Sequence, residues 1–219
     1  YAVPTGTQAE RDSALSMPTG VAWAPDGLRL YVSALGSDKL GVVSAAGALL
    51  ARVPTVAGPT GVLVDGPRHR LYVLGRFHEQ LQTLSTADFH SVAVAGIGFD
   101  PTPDDVVNGR RFFYGGFTSG HGDQSCASCH LFGDMDNLVW DLGDPTGDMA
   151  PVPPGMLDPL LTPFHPMKGP MATQSLRGLN STGLLHWRGD RADFLAFKGA
   201  TQSLLGRSTP IADSEMVAM

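Results

Sequence analysis

Met17-Pro-Thr-Gly-Val21 and Gly58-Pro-Thr-Gly-Val62 write nearly the same phrase 41 residues apart. The same offset carries Leu28-Arg-Leu-Tyr-Val32 onto His69-Arg-Leu-Tyr-Val73, Leu40 onto Leu81 and Ser44 onto Ser85. Self-similarity at a fixed period means that one supersecondary unit is built twice. Within each unit, short runs of β-branched and aromatic residues are punctuated by turn residues. Gly20-Val-Ala-Trp-Ala-Pro25 stops at Asp26-Gly27, and Leu30-Tyr-Val-Ser33, Leu40 to Ser44 and Leu49 to Val53 follow. The second unit answers with Val62-Leu-Val64, Leu71-Tyr-Val-Leu74, Leu81 to Leu84 and Val92-Ala-Val94. These patterns predict four short strands per unit.

A unit of about 40 residues with four strands is the size of one β-propeller blade. The Pro-Thr-Gly-Val and Arg-Leu-Tyr-Val phrases, in register over residues 17 to about 98, resemble repeats of the YVTN and NHL-like propeller type. That resemblance implies two antiparallel blades in residues 1–98. Two blades cannot close a ring, and an incomplete ring leaves strand edges open. The expectation is therefore that more blades precede Tyr1, that the two blades pack on the rest of the chain, or that an assembly partner completes the propeller.

From Phe99 the texture changes. Pro101-Thr-Pro103 reads as a linker, and Asp104-Asp-Val-Val-Asn-Gly-Arg-Arg-Phe-Phe113 as a short helix with acidic residues at its dipole-favoured start. Residues 133 to 165 are rich in Gly, Pro and Asp and predict a long loop. Ile211 to Met219 reads as the start of a helix with no capping Gly or Pro after it. The chain begins at Tyr1, which suggests a processed chain or a fragment. The expected fold class is thus mixed: β-propeller-like blades over 1–98, then a mostly α and loop domain over 99–219. The 219-residue chain holds 27 Gly and 17 Pro, with a formal net charge of -6. A weakly acidic chain with no Lys/Arg run argues against nucleic acid and anionic membrane surfaces as partners. No apolar run reaches the roughly 18 residues of a transmembrane segment.

Chemistry enters at Cys126-Ala-Ser-Cys-His130, which holds both cysteines of the chain. Two thiols three positions apart cannot staple a loop framework. Cys-x-x-Cys-His spacing suits one covalent haem c: each sulfur adds to a vinyl group, and the adjacent imidazole addresses the iron. A zinc knuckle needs a second ligand pair, and no further cysteine exists to supply it. A thioredoxin-type pair is expected in a βαβ context that this sequence lacks. Haem addition to such motifs takes place outside the cytoplasm, so a periplasmic, extracellular or cell-surface location is expected.

The surroundings of the motif carry a second resemblance. Asn108-Gly-Arg-Arg-Phe-Phe-Tyr114, then Ser119-Gly-His-Gly-Asp-Gln-Ser-Cys-Ala-Ser-Cys-His130, resembles the entry to the haem domains of bacterial di-haem cytochrome c peroxidases and MauG-like proteins. His165-Pro-Met-Lys-Gly-Pro-Met-Ala-Thr-Gln-Ser-Leu-Arg177 and His186-Trp-Arg-Gly-Asp-Arg191 resemble two later motifs of that family, in the same order. The likeness spans roughly residues 105 to 205. The family has two haem motifs where this chain has one, and the Glu-Gln that follows its Trp-Asp-Gly-Arg is absent after Arg191.

An electron-transfer haem usually takes Met or His opposite its proximal histidine. The resemblance points to His165, and Met171 is chemically as attractive because Gly169-Pro170 could turn its thioether inward. Met167 is the third candidate, and core filling is the bland reading of each methionine. Arg177, Arg188 and Arg191 are candidate partners for the haem propionates, since guanidinium forks match carboxylates. The expected function is single-haem electron transfer with other redox proteins or haem subunits. The alternatives are a peroxidase or MauG-like oxidoreductase working with a partner haem, and a subunit of a larger redox assembly.

Overall fold

The computed structural model describes residues 5–143, 145–152, 162–179 and 182–219. After a short helix α1 (Gln8–Ser13), the chain folds two four-stranded antiparallel sheets in simple meander order. The first holds β1 (Pro18–Trp23), β2 (Arg29–Ala34), β3 (Lys39–Ser44) and β4 (Leu49–Pro54). The second holds β5 (Pro59–Asp65), β6 (Arg70–Gly75), β7 (Gln80–Ser85) and β8 (Ser91–Gly96). All eight strands read from the 41-residue repeat are present; the first is shifted two residues toward the N-terminus, ending at Trp23 rather than Pro25, and the other seven are widened by a residue or more.

Side-chain alternation decides how the sheets meet. Tyr31, Leu40, Val42 and Val53 point from the first sheet into a core completed by Leu71, Val73 and Leu84 of the second, with Val62 and Val64 packed against it. The contact is head to tail. Val62 and Val64 are the repeat mates of Val21 and Trp23, which sit on the far face of the first sheet, 64% and 55% exposed. The far face of the second sheet presents Leu63, opposite Tyr72 and 64% exposed. The pair is therefore a propeller-like fragment of two blades with an apolar face left over at each end.

The second part is built of short helices, turns and loops. Pro103 precedes helix α2 (Asp104–Tyr114), whose first turn carries Asp104 and Asp105. Arg110 ties this helix back to the second sheet, donating to the Phe77 carbonyl at 3.0 Å, to Asp100 Oδ2 at 3.1 Å and to Thr102 Oγ1 at 3.0 Å. A two-stranded ribbon pairs β9 (Val139–Trp140) with β10 (Met171–Ala172). Two last helices, α3 (Ala200–Ser203) and α4 (Asp213–Ala218), follow. Helix α4 packs on α2 where Gly109 leaves room, since a Cβ on Gly109 would overlap the Ala218 carbonyl oxygen. Gly109→Val is accordingly expected to cost about 1–3 kcal/mol through overpacking, read as a lower urea midpoint. An unchanged midpoint would mean that the two helices do not cross at this residue. Among the described residues no helix is long and apolar enough to cross a membrane.

Loops bind the parts together. Ser16 Oγ donates to the Asp123 carbonyl at 2.9 Å, and Ser125 Oγ contacts Met17 Sδ at 3.7 Å. The first sheet's leading loop therefore braces the stretch just before Cys126.

Candidate functional site

Cys126–Ser128 forms one 3-10 turn. The Cys126 carbonyl accepts from the Cys129 N–H at 3.3 Å and the His130 N–H at 3.0 Å, which winds all three functional side chains onto a single turn. Ser125 closes the entry by donating its N–H to Ser128 Oγ at 3.0 Å. Ala127, the small residue inside the motif, is fully buried and seats the turn on the protein. The two cysteines are free and half-buried. Burial pushes the Cys126 thiol up to about 11, and it raises Cys129 as well. A dithiol redox catalyst needs the opposite, a thiolate stabilised at neutral pH.

His130 is held by its Nδ1, which lies 2.8 Å from the Gln174 carbonyl oxygen. A carbonyl only accepts, so Nδ1 carries the proton and Nε2 keeps its lone pair. Burial also lowers the pKa of His130, favouring the neutral ligand form. A backbone carbonyl fixing Nδ1 is the usual orienting partner of a metal-bound histidine. The donor set thus fits haem c: two protonated thiols and one oriented neutral imidazole on one turn. Among the described residues no cluster of three or more His, Cys, Asp or Glu could hold a bare metal ion.

Beside the motif lies an apolar cleft of about 510 Å³. Phe132 and Gly133, Leu176, Phe113 and Tyr114 of α2, and Phe194 line it together with Arg76 and Arg110. The Leu176 N–H donates to the Gly133 carbonyl at 3.0 Å, so the segment that orients His130 also forms a cleft wall. Cys126, Cys129 and His130 do not line this cleft themselves.

The other residues singled out by sequence lie between 165 and 191 and have their own local partners. His165 is exposed, and its Nδ1 accepts from the Met167 N–H at 3.0 Å. Met167 and Met171 are both half-buried; Met171 sits in β10 opposite Trp140, three residues before Gln174. Arg177 pairs with Asp134 at 3.0 Å and remains largely in solvent. Arg188 NH1 donates to the His165 carbonyl at 2.9 Å, and its guanidinium lies 5.2 Å from the Phe164 ring centre. Arg191 lies 3.7 Å from Asp190.

Two residues that sequence reasoning passed over complete this group. Asp190 accepts from His186 Nδ1 at 2.6 Å, and Lys168 Nζ stands 3.2 Å from His186 Nε2. The signal available in the sequence was His186 four residues before Asp190 across Gly189. His186 adopts a left-handed φ of 74°, a strained position for a residue with a side chain. Burial is the main cause of its lowered pKa, outweighing the Asp190 hydrogen bond. The unfolded chain takes up a proton on this histidine near pH 6.5 while the folded chain resists it until lower pH. Its contribution is complete above about 6.5 and is lost as pH falls through that window. The melting temperature is expected to drop between pH 7 and 5, with a shallower slope in His186→Gln. Equal slopes would remove His186 from the account.

Neither protein-family models nor curated proteins match this chain. Solved structures give partial likenesses. Kuenenia stuttgartiensis hydrazine synthase aligns at 19% identity over 38% of this chain and 24% of its own, with a TM-score of 0.37. The Pseudomonas aeruginosa periplasmic gluconolactonase PpgL aligns at 20% identity over 39% of this chain and 28% of its own, TM-score 0.34. Streptogramin B lyase aligns at 12% identity over 36% and 26%, TM-score 0.32. The chain thus spans about a quarter of each of these structures, and overlaps of this size carry no argument about chemistry.

Proposed function

We propose that this chain is a c-type cytochrome that carries one haem on Cys126, Cys129 and His130 and passes single electrons outside the cytoplasm. The observation that supports this most is the His130–Gln174 bond, because it protonates Nδ1 and leaves the Nε2 lone pair available to a metal. The bound haem would supply a one-electron couple. The chain's own residues do the rest. Cys126 and Cys129 anchor, His130 ligates, and Gln174 fixes the tautomer and ring plane. The finer reading, a domain of the di-haem peroxidase and MauG-like kind with its chemistry reduced to electron transfer, rests on the motif resemblance. The two blades then serve as a packing or docking surface for a redox partner. Met171 is the favoured candidate for the second axial position; His165 is the other, although its Nδ1 accepts from the Met167 N–H, which leaves the proton on Nε2.

An absorption and electron-paramagnetic-resonance spectrum of the oxidised protein tests the reading. A low-spin, six-coordinate haem that does not react with peroxide is expected, and Met171→Ala or His165→Ala converts it to high spin. A high-spin native haem that forms a ferryl species with peroxide would replace electron transfer with catalysis.

A further inference from the structure

Three cations and one carboxylate meet where residues 185–191 lie on residues 164–172. The Trp187 Nε1–H donates to the Ala172 carbonyl at 2.7 Å and Arg188 to that of His165, which fixes one segment on the other. Asp190, whose side chain is only 6% exposed, accepts from His186 Nδ1. That bond makes Nε2 an acceptor for Lys168 Nζ, so the histidine is neutral and positions the lysine. The Asp190 carboxyl is held below its usual range: burial opposes this, but the His186 hydrogen bond and nearby cations prevail. Lys168 and Arg191 therefore face one ionised carboxylate, and Arg188 stands close enough to act on Lys168 without a carboxylate of its own among the described residues. No other acidic side chain is ion-paired with them among the described residues. An excess of two positive charges in a half-buried cluster is costly unless anions answer it. Arg188 Nε adds a second, independent sign, being a buried N–H donor with no partner among the described residues. Burial, together with Arg191 and Arg188, also pulls Lys168 below the ordinary lysine value.

We infer that Lys168, Arg188 and Arg191, with His186 and Asp190 as positioning residues, form a receptor for two negative charges carried on carboxylate or phosphate oxygens. Arg188 Nε and the Lys168 ammonium supply the donors, and the guanidinium forks match planar oxyanions. Resting on the proposed haem, the source at hand is its pair of propionates; a free oxyanion such as phosphate has the same chemistry.

The test uses the purified, haem-loaded protein, with covalent haem quantified after denaturation. A cation held at a haem propionate would favour the reduced form, which carries one positive charge fewer. Lys168→Met and Arg188→Gln are each expected to shift the reduction equilibrium toward the oxidised form by up to about tenfold, 59 mV for one electron. Haem content stays unchanged, and Lys168→Arg, which keeps the charge, keeps the wild-type potential. A second arm reads melting temperature against inorganic phosphate. If phosphate stabilises the wild type and Lys168→Met and Arg188→Gln abolish the effect, the anion is a free one. If neither the potentials nor the phosphate response moves, the receptor is overturned. A protein without haem sinks the cytochrome reading instead, and the phosphate arm then decides the receptor alone.

Discussion

With Cys126 and Cys129 both replaced by alanine, haem is expected to vanish from the denatured polypeptide. Peroxidase staining for haem after denaturing electrophoresis checks this, with the variant produced alongside wild type in a cell that exports and matures c-type cytochromes. The reason is local. Both sulfurs sit on one turn whose hydrogen bonds to the Cys126 carbonyl do not involve the side chains, so the variant keeps its backbone and loses only its anchors. Each single variant retains one thioether and a weaker haem signal. His130→Ala separates attachment from ligation: the haem stays covalent, but its spectrum loses the low-spin signature. Undiminished covalent haem in the double variant would show that these cysteines are not the attachment points.

Leu71→Ala carries the other large effect. Leu71 is completely buried at the centre of the contact between the two sheets, with Tyr31, Leu40 and Val42 around it. Removing a buried leucine to alanine costs about 2–5 kcal/mol, the transfer term plus the cavity left behind. Domains commonly hold only about 5–15 kcal/mol in total. The variant is therefore expected to unfold at a much lower urea midpoint. Leu63→Ala, on the open far face, is the control, with a change within about 0.5 kcal/mol. Equal losses at the two positions would contradict the head-to-tail packing of the blades.

The blades were legible because their information is periodic and local. Each strand announces itself through alternation, and the second copy repeats the first at a fixed offset. The direction of their packing was not legible, since it turns on which face of Leu30-Tyr31-Val32 points inward, and both faces are apolar. At the site, Cys126, Cys129 and His130 were legible because adjacency in sequence is adjacency in space. The Gln174 carbonyl was not, because any residue presents one there and 44 positions separate it from His130. Lys168 likewise stands 18 residues from His186. Nothing in the sequence singled out Asp190, which the fold buries against His186. Arg177 illustrates the converse: a guanidinium that the sequence offers to a propionate is engaged with Asp134 and largely in solvent.

The proposed cytochrome stands or falls on one haem held by covalent bonds. Intact-mass spectrometry of the denatured wild-type protein, produced with c-type maturation, tests it most directly. The account requires the polypeptide mass plus a single haem, with the added mass on the peptide that contains Cys126 and Cys129. A bare polypeptide mass from cells that load a control cytochrome would contradict it.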